Sequence, residues 1–81
     1  MRIDYLPRAI EALDDAPAHV RRAFFKQVTF LQNNLRHPSL NAKKYNEAED
    51  KWQARINKDW RFYFRIVGDR YIVTDLMPHP K

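Results

Sequence analysis

The run Trp60–Val67, WRFYFRIV, constrains this chain more than any other stretch. Trp60, Phe62, Phe64 and Ile66 alternate with Arg61, Tyr63 and Arg65. Strand side chains point to opposite faces with a period of two, so this run is a strand with one aromatic face and one cationic face. The aromatic face is bulky and needs a partner to bury it. The other face carries two guanidinium groups beside a phenol, an odd surface for a purely structural sheet. It is the candidate working face.

The same tail supplies the strand's neighbours. Gly68-Asp69 reads as a two-residue hairpin turn with Gly at the positive-φ position. Arg70 to Met77 then returns antiparallel, with Val67 facing Arg70 and Arg61 pairing near Leu76. Upstream, Trp52 to Ile56 forms a further strand, and Asn57-Lys58-Asp59 supply turn residues. Near the N-terminus, Arg2 to Tyr5 is a short candidate strand with Ile3 and Tyr5 on one face.

The cover for the aromatic face comes from the first half of the chain. Pro7 suits the first turn of a helix that ends near Asp14-Asp15, with Ile10 and Leu13 as its apolar positions. Pro17 suits the first turn of a second helix, near a cap at Asp15 or Ala16. Val20, Phe24, Gln27, Val28, Leu31 and Leu35 recur there at helical spacing. Phe25 and Phe30 lie off that stripe and widen it. The second helix spans about Pro17 to Leu35 and is ended by His37-Pro38, because a proline disfavours helical geometry in the residue before it. Two helices joined by a few residues make a helical hairpin. His37 to Lys51 has no sustained period and reads as a loop, anchored by Leu40 and Tyr45. The expectation is one domain over residues 1–81, with no internal repeat.

Composition narrows the chemistry. With 81 residues and no cysteine, the core rests on aliphatics and on aromatics, 14% of the chain, without disulfides or zinc–thiolate sites. No long apolar run marks a signal peptide or a membrane span, and a cysteine-free chain suits a reducing, cytoplasmic setting. The net charge of +5 and pI of about 9.8 favour a polyanionic partner, nucleic acid or an acidic protein segment; ordinary solubility charge is the alternative. Three scattered histidines lack metal-ligand spacing and there is no Gly-rich phosphate loop, so no metal and no cofactor is expected.

The strand pattern gathers candidate groups. Arg61 and Arg65 share the open face, and Arg55 joins them if Trp52, Ala54 and Ile56 enter the core. The tail brings His79 to the Arg61 end of the hairpin, and Lys43, Lys44 and Lys51 lie in the loop beside Glu47. Guanidinium groups bind phosphate bidentately and stay charged, while histidine exchanges a proton near neutral pH. That is sufficient equipment for RNA cleavage through the 2′-hydroxyl: a base removes its proton, cations stabilise the phosphorane, and an acid protonates the leaving 5′-oxygen. Each residue also has a plainer reading. Arg61 and Arg65 fit solvated strand positions, His79 an inert terminal group, and the loop lysines weak surface pairs. Tyr63 is either a stacking platform for a base or a packing partner of the arginines.

The order of these features resembles the RelE/ParE toxin superfamily of bacterial toxin–antitoxin modules. The resemblance runs over nearly the whole chain. It is carried by LQNNLRHPSL at the helical exit, W-x-x-R-I at Trp52-Arg55-Ile56, W-R-x-Y at Trp60-Arg61-Tyr63, the Gly68-Asp69 turn and the terminal His79. It implies an α+β fold in which an N-terminal helical hairpin packs on a small, mainly antiparallel sheet of about four strands. In the RelE/YoeB/HigB-like branch it implies a metal-independent endoribonuclease that cuts mRNA on the translating ribosome.

By that resemblance Arg61 is the phosphate-binding arginine and His79 the proton-transfer group. Lys44 and Glu47 fall where relatives carry a catalytic lysine and a glutamate base, and no counterpart of a late tyrosine is present. His79 then works alone, or with Lys44 or Glu47. Lys43, Lys51, Arg55, Tyr63, Arg65 and Lys81 are the expected RNA contacts. The implied partners are a cognate antitoxin, in a hetero-oligomer, and mRNA with the ribosome and its 16S rRNA. The ParE branch shares the fold but inhibits DNA gyrase, so a gyrase inhibitor or an inactive binding module is the alternative.

Overall fold

The alternating strand forms the middle of the sheet, as its two-sided pattern requires. The structure, a computed structural model, describes residues 1–79. In chain order these give β1 (Arg2–Tyr5), α1 (Pro7–Asp15), α2 (Ala18–Asn33), a 3-10 turn (Pro38–Leu40), β2 (Lys43–Asn46), β3 (Lys51–Arg55), β4 (Trp60–Val67) and β5 (Arg70–Pro78). The strands lie in the order β1-β5-β4-β3-β2. β1 runs parallel to β5, and the other neighbours are antiparallel. Gly68 takes φ +60° in the β4–β5 turn, a conformation that costs glycine no Cβ clash.

The two helices cover one face of the sheet. Val20, Phe24, Gln27, Val28 and Leu31 are the buried positions of α2, the stripe that the three- and four-residue spacing outlines. Phe24 meets Phe62 edge-on at 5.2 Å between ring centroids, and Phe62 and Phe64 are wholly buried. Trp52, Trp60, Ile3 and Tyr5 pack around this centre. Edge-to-face pairs of this kind add about 0.5–1.5 kcal/mol beyond the area they bury. No helix among the described residues is long and apolar enough to cross a membrane.

Pro17 stands at the cap of α2 rather than in its first turn, and the helix stops at Asn33, two residues short of Leu35. Arg21 reaches back to the carbonyls of Asp14 and Ala16, satisfying acceptors at the end of α1. Gln27 is the one polar residue in the buried stripe. Its Nε2 donates to the carbonyls of Ser39 (2.9 Å) and Arg55 (2.7 Å), and its Oε1 accepts from the Ser39 hydroxyl (2.9 Å). It ties α2 to the end of β3.

Three departures from the sequence reading shape the open face. First, the sheet has five strands among the described residues, because the Lys43–Asn46 segment pairs with β3 instead of remaining loop. Leu40 is a buried anchor, but Tyr45 is 59% exposed. Tyr45 sits at an irregularity in the β2–β3 register, where a bulge re-aims the side chain. Second, Arg61 pairs with Met77, one residue beyond Leu76. A bulge leaves Thr74 without a partner between Phe64↔Val73 and Tyr63↔Asp75. Third, that bulge switches which positions face the core. Val73 and Leu76 are buried, while Asp75 turns to the open face beside Tyr63 instead of being driven under the helices.

Candidate functional site

The open face is built from cross-strand pairs on β3 and β4. Arg55 lies opposite Arg61, Gln53 opposite Tyr63, and Lys51 opposite Arg65. Like charges directly opposite each other disfavour the pairing of their strands. The face therefore has a doubled cation at each end and a neutral pair between. The four-residue step from Arg61 to Arg65 sets the ends roughly 13 Å apart.

The Arg55–Arg61 end forms a hollow of about 70 Å³, lined by Asn41, Lys43, Gln53, Ala54, Arg55, Arg61 and His79. The β3–β4 turn is its frame. The Asn57 side chain accepts from the backbone N–H groups of Asp59 (2.8 Å) and Trp60 (2.9 Å), which closes the turn. Arg61 Nη1 donates to the carbonyls of Asn57 (2.6 Å) and Trp60 (2.9 Å), so the guanidinium is held before any ligand arrives. The His79 N–H donates to the Asp59 carbonyl at 2.6 Å, which docks the tail on the same turn. Burial, and then the neighbouring Arg55, pull Arg61 below its ordinary pKa, though a guanidinium in a protein remains a cation. An anion between the two arginines would offset their mutual repulsion. No described lining residue of this hollow is acidic.

The hollow is far smaller than the roughly 300–1,000 Å³ of sites that enclose an organic ligand. It suits one small oxyanion gripped by an arginine fork, with an imidazole at its rim and a lysine at its edge.

Of the residues singled out from the sequence, Arg61, His79, Arg55 and Lys43 come together here. Lys44 does not. It pairs with Trp52 on the helix side of the sheet, its ammonium 5.2 Å from the Trp52 ring and bridged to Asp50. That hydrogen bond raises its pKa. Alternation along β2 sends adjacent lysines to opposite faces, which a loop reading could not reveal. Glu47 follows β2, in the turn at the other end of the strands from Arg61.

Lys51 and Arg65 lie on the open face but at its far end. Tyr63 is only 7% exposed; Tyr45 meets its ring edge-on at 5.2 Å and the Lys51 ammonium stands 5.3 Å from it. It offers no open ring to a base, and burial raises its phenol above the usual pKa. Tyr45 is the aromatic exposed on this face, and the two-residue spacing of Lys43 and Tyr45 was its sequence signal. Lys81 lies outside the described residues.

No protein-family profile matches the sequence, and no curated protein matches it. Solved structures do match in three dimensions. A YoeB/ParE toxin from Agrobacterium tumefaciens aligns over 99% of this chain and 100% of its own, with a TM-score of 0.82 at 14% identity. The RelB–RelE antitoxin–toxin complex from Methanococcus jannaschii gives a TM-score of 0.78 at 18% identity, covering 93% of this chain and 88% of the other. A YoeB–YefM toxin–antitoxin complex from Staphylococcus aureus gives 0.78 at 14% identity, covering 99% and 98%. Two helices on a five-stranded mixed sheet, superposable over nearly the full length of each, give this chain the fold of the RelE and YoeB toxins.

Proposed function

We propose that this protein is the toxin of a toxin–antitoxin pair and that it cleaves mRNA, on the translating ribosome, without a metal ion. The observation that carries the reading is the preset Arg61 guanidinium, facing a hollow it shares with Arg55, Lys43 and His79. Nη1 is occupied by the turn carbonyls, and in the proposed reaction the rest of the fork grips the phosphate.

In the proposed reaction the scissile phosphodiester sits between Arg61 and Arg55. The 2′-hydroxyl of the preceding ribose loses its proton and attacks phosphorus. The phosphorane collapses, the bond to the 5′-oxygen breaks, and that oxygen takes up a proton. The products are a 2′,3′-cyclic phosphate and a free 5′-hydroxyl. Arg61 and Arg55 stabilise the added negative charge. His79 carries one of the two protons. Lys44 and Glu47 have no part in this scheme, being on the wrong face and at the wrong end of the strands.

Induction of the protein, followed by primer extension on a translated mRNA, is expected to give cuts at fixed positions within codons, with 5′-hydroxyl ends. Intact mRNA together with loss of DNA supercoiling would replace this reading with gyrase inhibition.

The partner follows from the fold and the charge. Two of the matched structures hold toxin and antitoxin together. A net charge of +5 suits an acidic wrapping segment on this chain as well. Co-expression with the adjacent reading frame and a tag on this chain is expected to recover a stable complex and to abolish growth arrest. Recovery of the chain alone, harmless to its host, would argue against the pairing.

A further inference from the structure

The opposite end of the open face carries a second, larger cleft of about 340 Å³, lined by Arg8, Glu49, Lys51, Arg65 and Thr74. Its construction differs from that of the Arg61 hollow. The Thr74 bulge turns Asp75 outward, and Asp75 fixes two of the cations: Arg8 Nε at 3.2 Å and Lys51 Nζ at 3.2 Å. Arg8 Nε also donates to the carbonyl of the bulged Thr74 at 3.2 Å, which brings the first turn of α1 into the face. The Thr74 hydroxyl donates to Asp75 at 3.0 Å. Asp75 is thus spent on holding the wall together.

Two other groups have no such duty. Among the described residues, neither the Arg65 guanidinium nor the Glu49 carboxylate has a hydrogen bond or ion pair, and both are exposed. The terminal nitrogens of Arg8 are also unengaged, and that side chain is 62% exposed. The cleft therefore offers two guanidinium forks and one carboxylate acceptor around a space large enough for a base. Arginine forks take a phosphate, and a carboxylate accepts from the exocyclic amino group of a base. Three cations against Glu49 and Asp75 leave a single positive charge, matched to one phosphodiester. The smaller hollow has neither the volume for a base nor an acidic acceptor in its described lining.

We propose that this cleft is a nucleotide subsite, in which Arg65 and Arg8 hold a phosphate and Glu49 selects a base that carries an exocyclic amino group. The proposal rests on the RNA-cleaving reading for the strand it serves, a stretch next to the scissile phosphate. The subsite itself is open to test with free nucleotides. Cytosine, adenine and guanine carry the amino group; uracil does not.

Amide chemical shifts of the isotope-labelled protein, titrated separately with CMP, AMP, GMP, UMP and inorganic phosphate, read the two sites independently. The four nucleotides are expected to move the amides of Glu49, Lys51 and Thr74 saturably, with UMP the weakest. Inorganic phosphate is expected to move those of Arg55 and Arg61 most, and those of the cleft less than any nucleotide does, since it brings no base to Glu49. Arg65→Ala should weaken all four nucleotides by about tenfold, the usual loss for one charge-assisted hydrogen bond. Glu49→Gln should bring UMP level with the others. Nucleotide shifts confined to the Arg61 hollow, no saturable shift at the cleft, or an unchanged ranking in Glu49→Gln would each overturn the proposal. Failure of the nuclease reading is separate: intact mRNA on induction, with nucleotides still bound at Glu49 and Thr74.

Discussion

Arg61→Ala is expected to abolish growth arrest and to lower mRNA cleavage by on the order of 10²-fold or more, with the fold retained. The side chain is pinned by the Asn57 and Trp60 carbonyls, so its orientation entropy is already lost before any ligand binds. In the proposed reaction, removing it takes away the one of the two paired guanidinium groups that the turn carbonyls hold in place. Arg55, directly opposite on β3, supplies charge from the other side but is exposed and has no such frame. The cost to folding is small by comparison. The two carbonyls return to a half-exposed turn, at about 1 kcal/mol. Arg61→Lys is expected to recover only part of the rate, because an ammonium restores charge without the planar fork. Cleavage yield by primer extension gives the first quantity and thermal melting by circular dichroism the second. Undiminished cleavage in a folded Arg61→Ala protein would remove this residue from the chemistry.

The second large effect is on stability. Phe24→Ala should cost about 3–5 kcal/mol, the range for deleting a fully buried phenyl ring. Phe24 is wholly buried between Tyr5 of β1 and Phe62 of β4, with centroids 6.2 and 5.2 Å away. It is the contact through which α2 closes on the sheet, and neither partner can collapse into the gap without leaving the β-ladder. A domain this small has little stability to spare, of the order of 5 kcal/mol in total. The midpoint should fall by on the order of 10 °C or more, or the protein should be unfolded at room temperature. Phe25→Ala, at the next position but 52% exposed, should cost about 1 kcal/mol or less. Equal losses at the two positions would contradict the assignment of Phe24 to the centre of the core.

These two residues also mark how much was legible in the chain. Phe24 and Arg61 were both assigned by periodicity, one by helical spacing and one by strand alternation. Both patterns arise from local geometry and need no knowledge of the partner. The same holds for the Gly68-Asp69 turn, where the requirement for a positive φ selects the residue. The meeting of Arg61 with His79 was legible as well, since a hairpin of known turn and length brings its two ends together.

Elsewhere the sequence was silent, for specific reasons. Lys43–Asn46 is an edge strand whose order comes from backbone hydrogen bonds to β3, so no apolar alternation announces it. Without that pairing, Lys43 and Lys44 look equivalent. The pairing sends one to the hollow and the other across the sheet to Asp50.

The sequence by itself determined the two-faced strand, the helical cover and the cationic character of the exposed side, because each follows from side-chain spacing along one element. Only the tertiary structure decided where those cations gather. The Thr74 bulge shifts the register by one residue, turns Asp75 outward and joins Arg8, 66 positions earlier than Thr74, to the same face. A register shift flips side chains from one face to the other, and it is fixed by packing between strands rather than by either strand's own pattern.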